Sequence, residues 1–279
     1  MASVLLTEQL KRVKEVLATW KEVDERVSQL CPSKSDAERA STSSTCGADK
    51  ITDGPVGFLS GKFSDGKWRD EYFGVDATVS NKEAAEQVDS GVKFTSRGAG
   101  AEWPVGAQGE NQLYHFANYN FTLLATVSIH EVPEGDTPIS LMGVKMNDNG
   151  KTVLLGLSYN KKEEKWMLLC GEEKSNELSS PWKPGKTHQL AIVLQNGNQS
   201  TAYVDGERVG NETCSLKNME SNEISHFYIG LGGGDAGSQE EVSVTVTNVL
   251  LYNRPLSAAE VGALNPNKVP IPPPVGGSA

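Results

Sequence analysis

From Gly54 to Asn253, short runs rich in Val, Ile, Tyr, Phe and Thr recur roughly every dozen residues, separated by Gly, Asn, Asp and Pro. β-Branched and aromatic side chains suit a pleated, half-buried surface, and the separating residues supply turns. The clearest runs are Tyr119 to Ile129, Ile139 to Lys145, Thr152 to Tyr159, Lys165 to Leu169, His188 to Leu194, Ser200 to Val204, His226 to Gly230 and Val242 to Tyr252. An Asp205-Gly206 pair separates two strand-like runs, the signature of a two-residue hairpin. No helical periodicity intervenes, so a parallel α/β sheet is disfavoured and stacked antiparallel sheets are expected. A sandwich of roughly 200 residues commonly forms one unit.

The flanks differ. Leu6, Leu10, Val13, Leu17, Trp20, Val23, Val27 and Leu30 recur at steps of three and four, which predicts one long amphipathic helix ended by Pro32. Its apolar stripe is expected to lie against the body of the protein. Ser, Thr, Ala, Asp and Lys then dominate from Ser33 to Thr52, a linker composition. After Pro255, Ser257-Ala-Ala-Glu260 forms a capping box for a short helix that Asn265-Pro266 stops. The tail from Val269 is proline-rich and extended. The expected organisation is a helix over 1–31, a linker over 32–53, a sandwich over 54–265 and a tail over 266–279.

A formal net charge of -10 opposes binding to nucleic acid, which requires a basic face. No run approaches the roughly 18 apolar residues of a membrane span. The N-terminal segment is broken by Glu8, Lys11, Arg12 and Lys14 and does not resemble a secretory signal. Cysteines and sequons nevertheless favour an extracellular setting. Cys31 and Cys46 flank the polar linker, while Cys170 and Cys214 lie in the β-rich half. Four cysteines allow three pairings; local closure favours Cys31 with Cys46, leaving Cys170 with Cys214, though sequence does not fix connectivity. The sequons begin at Asn120, Asn198 and Asn211, the last two in polar, turn-rich contexts.

Catalytic patterns are not found. His115, His130, His188 and His226 have no companions at metal-ligand spacing, so no metal or cofactor is expected. The Gly230 to Gly237 stretch lacks the ending and the helix of a phosphate loop. Glu163-Glu164, Glu172-Glu173 and Glu240-Glu241 are adjacent pairs whose members point to opposite faces of a strand, unlike the facing carboxylates of a glycosidase. Trp68, Tyr72, Trp103, Tyr114, Trp166 and Trp182 lie at or beside loops, where a ring can stack on a sugar, although core packing is the commoner role.

At the C-terminal strand the sequence becomes specific. Val244-Thr-Val-Thr-Asn248-Val-Leu-Leu251-Tyr252-Asn253-Arg254 resembles the VTVxNVxLYNR motif of the trypanosomal trans-sialidase superfamily. Val56 to Ser60, Phe116 to Tyr119, Phe121 to Leu123, Leu155 to Tyr159, Tyr203 to Gly206 and Ile224 to Gly230 also resemble that family's lectin-like domain. The resemblance covers roughly Leu6 to Leu264 and implies a concanavalin/laminin-G-like jelly roll carried on a long connecting helix. It also implies that Cys31 and Cys46 correspond to the family's paired cysteines after that helix. Family sialidase chemistry belongs to a β-propeller, and none of its elements is recognised here; Ser64 to Trp68 only superficially resembles an Asp box.

What the resemblance implies is non-catalytic adhesion at the cell surface, or after secretion, toward host-cell glycans or matrix and surface glycoproteins. The alternative is an accessory fragment of an active sialidase, with a catalytic propeller as its further partner. Family host contact is credited to the segment holding Val244, Val246, Asn248, Val249, Leu251, Tyr252, Asn253 and Arg254. The competing reading of that segment is structural. Val244, Val246, Asn248, Leu250 and Tyr252 alternate with Thr245, Thr247, Val249 and Leu251, and both faces are apolar enough for a central buried strand.

Overall fold

A computed structural model describes residues 2–30, 53–105, 114–133, 137–147, 152–171, 175–181, 183–216, 224–233, 242–267 and 270–272. The expected pairing of Cys31 with Cys46 and the linker lie outside the described residues, as does Trp182. Seventeen strands are present among the described residues, and they pair with one another antiparallel.

One sheet runs β4 (Ala85–Val88), β5 (Gly91–Phe94), β17 (Ser243–Tyr252), β7 (Phe121–Glu131), β12 (Thr187–Gln195) and β13 (Gln199–Val204). The short β14 (Glu207–Arg208) and β15 (Cys214–Ser215) finish its far edge. The second sheet runs β2 (Lys67–Asp70), β3 (Ala77–Ser80), β6 (Gly100–Pro104), β16 (Ile224–Gly230), β8 (Ile139–Met146), β9 (Val153–Asn160), β10 (Lys165–Cys170) and β11 (Ser175–Ser179). β1 (Pro55–Ser64) pairs with β17 at one end and β2 at the other, so it closes the sandwich along one side.

The opposite side is closed covalently. A Cys170–Cys214 disulfide joins β10 to β15, and Asn176 Nδ2 of β11 donates to the Glu212 carbonyl at 2.7 Å. Edge strands with unpaired backbone groups invite association. Here the two edges are tied to each other. Between the sheets, Trp68, Trp103, Trp166, Phe94, Phe121 and Phe227 fill a core with Leu, Ile and Val from both faces. The aromatics singled out beside loops are therefore mostly core: Trp68, Trp103, Tyr114 and Trp166 are buried, and Tyr72 is half-buried.

Local chemistry places the turns. Asp205 and Gly206 both have positive φ, 54° and 84°, as the expected hairpin turn demands. The tip packs closely on the C-terminal helix α2 (Ala258–Ala263), for a Cβ on Gly206 would come within 2.9 Å of the Gly262 Cα. The capping box forms as expected, with the Ser257 side chain accepting from the Glu260 N–H and Glu260 Oε2 accepting from the Ser257 N–H at 2.8 Å. Tyr119 does not open a strand. Residues His115–Asn118 form a 3-10 turn, and β7 begins only at Phe121.

Helix α1 (Ala2–Leu30) lies across the outer face of the first sheet. Val16, Trp20, Val23 and Val27 pack there with Phe58, Leu124, Ala191, Val193, Tyr203, Leu250 and Tyr252, joined by Leu256, Val261 and Leu264 near α2. Burying each such side chain contributes roughly 1.5–3 kcal/mol, so α1 is held firmly. The expected stripe is corrected in rotation: Leu10 and Leu17 are 54% and 56% exposed, while Val16 is fully buried. The reason is the latch beside it. Arg12 Nε donates to Glu71 Oε2 at 2.7 Å, its Nη2 contacts the same oxygen, and Ser60 Oγ donates to Glu71 Oε1 at 3.2 Å. That pair, together with the packing of Val16, Trp20, Val23 and Val27, holds this side of the helix toward the sheet.

Candidate functional site

The motif strand β17 sits in the middle of its sheet, with β7 on one edge and β5 then β1 on the other. The change of neighbour occurs at a bulge between Thr247 and Leu250. Asn248 occupies the left-handed region there, φ 49°, which Asn tolerates better than β-branched residues. The bulge shifts the alternation by one position. Val244, Val246, Val249 and Leu251 all face the inner core, whereas Leu250 and Tyr252 face the helices. The strict two-residue period expected from sequence is thus wrong beyond Thr247; both faces are buried from Asn248 onward, whereas Thr245 and Thr247 on the outer face are only half-buried.

Val244, Val246, Asn248, Val249, Leu251 and Tyr252 are all buried by this chain's own elements. Only Asn253 is exposed, with Arg254 intermediate. Both serve the fold. The Asn253 N–H donates to the Gly54 carbonyl at 2.9 Å, Arg254 Nε donates to the Asp53 carbonyl at 2.8 Å, and Arg254 Nη1 pairs with Glu260 Oε1 at 2.8 Å. Burial opposes charge on Glu260, but bonds from the Ser257 N–H, the Ser257 hydroxyl and Arg254 hold its pKa below the usual carboxylate value. The Arg254 carbonyl accepts from Thr122 Oγ1 at 2.9 Å.

The sequons divide by geometry. Asn211, Glu212 and Thr213 are all exposed, on the loop leading into β15. Asn198 is exposed, but Ser200 is buried and donates to the Val193 carbonyl at 3.0 Å. Asn120 is half-buried, its side-chain carbonyl accepting from the Asn196 N–H, and Thr122 is buried. Glu163 and Glu164 sit in the exposed β9–β10 turn; the other two glutamate pairs lie outside the described residues. Among the described residues, no group of three or more His, Cys, Asp or Glu side chains is placed to hold a metal ion. No described helix is long and apolar enough to cross a membrane.

The first sheet also carries a polar surface that motif reading did not find. Its outer face changes character along the strands. The row Phe58, Leu250, Leu124, Ala191 and Tyr203 is apolar and belongs to the helix-covered cluster. One step further lies Thr247, Thr126, Gln189 and Asp205, and beyond it Glu86, Lys93, Thr245, Ser128 and Thr187. Within these rows Ser128 Oγ and Thr187 Oγ1 are 2.9 Å apart, and His130 Nε2 lies 2.9 Å from Thr245 Oγ1. Asp205 accepts from the Gln189 N–H and meets His188 Nδ1, both at 2.9 Å, with Lys186 Nζ at 3.6 Å. Burial raises the Asp205 pKa, yet these partners together hold it below its ordinary value. The signal was legible: in β7 the polar Thr126, Ser128 and His130 alternate with the core residues Val127 and Ile129, although Thr126 is itself buried.

These features define a lectin-like antiparallel β-sandwich with a covering helix. Residues 51–259 match the family model for the trans-sialidase C-terminal domain, and the chain belongs to the trans-sialidase family. Sialidase 85-1.1 of Trypanosoma cruzi is 37% identical over 276 residues, covering 96% of this chain and 33% of that protein. Sialidase 85-1.3 of Trypanosoma cruzi is 41% identical over 181 residues, covering 64% of this chain and 99% of that protein. The solved structure of Trypanosoma rangeli sialidase with 2,3-difluorosialic acid superposes with a TM-score of 0.69 at 38% identity, over 91% of this chain and 38% of that one. The chain thus spans about a third of Sialidase 85-1.1. Botulinum neurotoxin type C shares the fold at a TM-score of 0.53 and 13% identity, over 77% of this chain and 51% of that one.

Proposed function

We propose that this chain is a non-catalytic recognition module, presented at a cell surface or secreted, that binds host-cell glycans or matrix and surface glycoproteins. The observation that carries this reading is the match of residues 51–259 to the C-terminal domain of the family, a sandwich whose open features are loops and a polar sheet face. Botulinum neurotoxin type C, which shares the fold, depends on two ganglioside molecules to gain access to cells. That likeness is an analogy of fold, and function resides in the site. A second reading is favoured by the relatives' length, Sialidase 85-1.1 being about three times longer than the stretch matched here: the domain is an accessory to a sialidase propeller.

Binding of the intact chain to a glycan array and to immobilised matrix glycoproteins tests the first reading, beside a fluorogenic sialic-acid assay. Selective binding without turnover is expected. Uniformly blank binding overturns recognition in favour of a structural spacer, and robust turnover overturns the non-catalytic assignment.

A further inference from the structure

We propose that the polar half of the outer face of the first sheet is a glycan-binding platform, built on β5, β17, β7 and β12. This rests on the recognition reading above and gives it a location. Three observations carry it. The first is regular spacing. Thr247, Thr126 and Gln189 form one cross-strand row and Lys93, Thr245, Ser128 and Thr187 the next. Neighbouring strands lie about 4.8 Å apart, so the half-buried second row offers donors and acceptors at a spacing that suits successive hydroxyls of a sugar chain, while Thr126 and Gln189 of the first row are buried at its border.

The second observation is preorganisation. Thr245, Ser128, Thr187, Lys93 and His130 are half-buried rather than freely solvated. Lateral bonds between Ser128 and Thr187, and between His130 and Thr245, fix their hydroxyls in place. Ordering these groups beforehand removes part of the cost of binding. The third is an unmet demand. Gln189 is 1% exposed, and neither its Oε1 nor its Nε2 has a hydrogen-bond partner. Buried amides are nearly always satisfied, and one left open calls for water or a ligand. Gln189 stands where the helix-covered apolar row gives way to the polar rows, so its amide borders the platform.

The lining selects the occupant. Hydroxyls, an amide, an imidazole and one ammonium group can bond the alcohols of an oligosaccharide in both senses, donating and accepting. An apolar peptide would strip water from these groups and leave their remaining donors and acceptors unpaired. His130 supplies the only ring among the described platform residues, so stacking is slight and affinity in the millimolar range is expected for a single saccharide.

Lactose, 3′-sialyllactose and maltotriose, titrated into the isotope-labelled chain, test the platform by backbone and side-chain amide chemical shifts. The expected result is movement of the Gln189 side-chain amide together with Thr126, Ser128, Thr187, Thr245 and Thr247. T187V and T245V keep shape and remove one hydroxyl each. Either should weaken saccharide binding about tenfold, the worth of one neutral hydrogen bond, in a chain that stays folded with a small drop in melting temperature from the lost Ser128 or His130 bond. Q189L should abolish the response. Should it fail to fold, the two threonine variants decide. Saccharide shifts confined to loops, or glycoprotein binding that T187V and T245V leave untouched, would overturn the platform while sparing the recognition reading. Loss of all glycan and glycoprotein binding by the unaltered chain would overturn both.

Discussion

Asn248 offers a direct test of whether the family motif marks a fold or a contact. Its backbone is left-handed, the residue is 9% exposed, and its Oδ1 is buried without a partner. N248G and N248V both delete that amide, so their difference isolates the backbone. Glycine adopts φ near 49° freely, whereas a β-branched side chain there costs about 2 kcal/mol. Removing the orphan acceptor returns roughly 1–3 kcal/mol in both variants. Glycine's greater freedom in the unfolded chain costs about 1 kcal/mol, so N248G should equal the parent or exceed it slightly in stability. N248V should lie about 2 kcal/mol below N248G, or roughly 4–8 °C in melting temperature for a domain of this size. Urea unfolding followed by tryptophan fluorescence measures it, with the denaturant slope checked for constancy. Equal stability of N248V and N248G would refute the backbone role of Asn248, and an equal, large loss in both would assign the role to the amide.

Other outcomes follow from the same structure. Cys170 and Cys214 are 44 residues apart, so C170S/C214S should lose up to about 4 kcal/mol of loop-closure stabilisation, read as a lower urea midpoint; an unchanged midpoint refutes the staple. Asp70 is buried, and desolvation raises its pKa to about 6 despite bonds from the Phe58, Tyr72 and Gly74 N–H groups and the Tyr114 hydroxyl. A folded pKa above the unfolded 3.8 means its contribution is full below about pH 4 and is lost as pH rises through 6, roughly 3 kcal/mol in all. D70N should lack that slope in unfolding measured across the range, and parallel pH profiles of the two proteins would contradict it. In a secretory host Asn211 should carry a glycan, seen as an N211Q mass difference after glycosidase mapping; an unmodified Asn211 peptide counts against the exposed sequon.

Much of this architecture was legible because strand and cap signals are local. Asp205-Gly206 needs only its own φ angles to turn the chain, and Ser257 with Glu260 needs only one helical turn to cap it. Eight of the strands began and ended within two residues or so of their sequence runs, since alternation and turn residues bound them. The short β15 was not legible, whereas β14 follows from the hairpin that Asp205-Gly206 announces. Two residues carry no period, and β15 exists only because β13 offers it an edge.

By itself, then, the sequence determined the strand-rich antiparallel class, the helix at each end and the family motif, all of which depend on neighbours along the chain. Tertiary structure decided which way those elements faced. Glu71, distant in sequence, captures Arg12 and rotates α1, leaving Leu10 and Leu17 outside. Two different neighbours, β5 and β1, share one edge of β17, and the bulge that reconciles them sends Val244 and Val249 to the same face. The polar rows likewise arise from four strands drawn from separate parts of the chain. Register between distant strands is set by the packing of whole faces, which no local pattern contains.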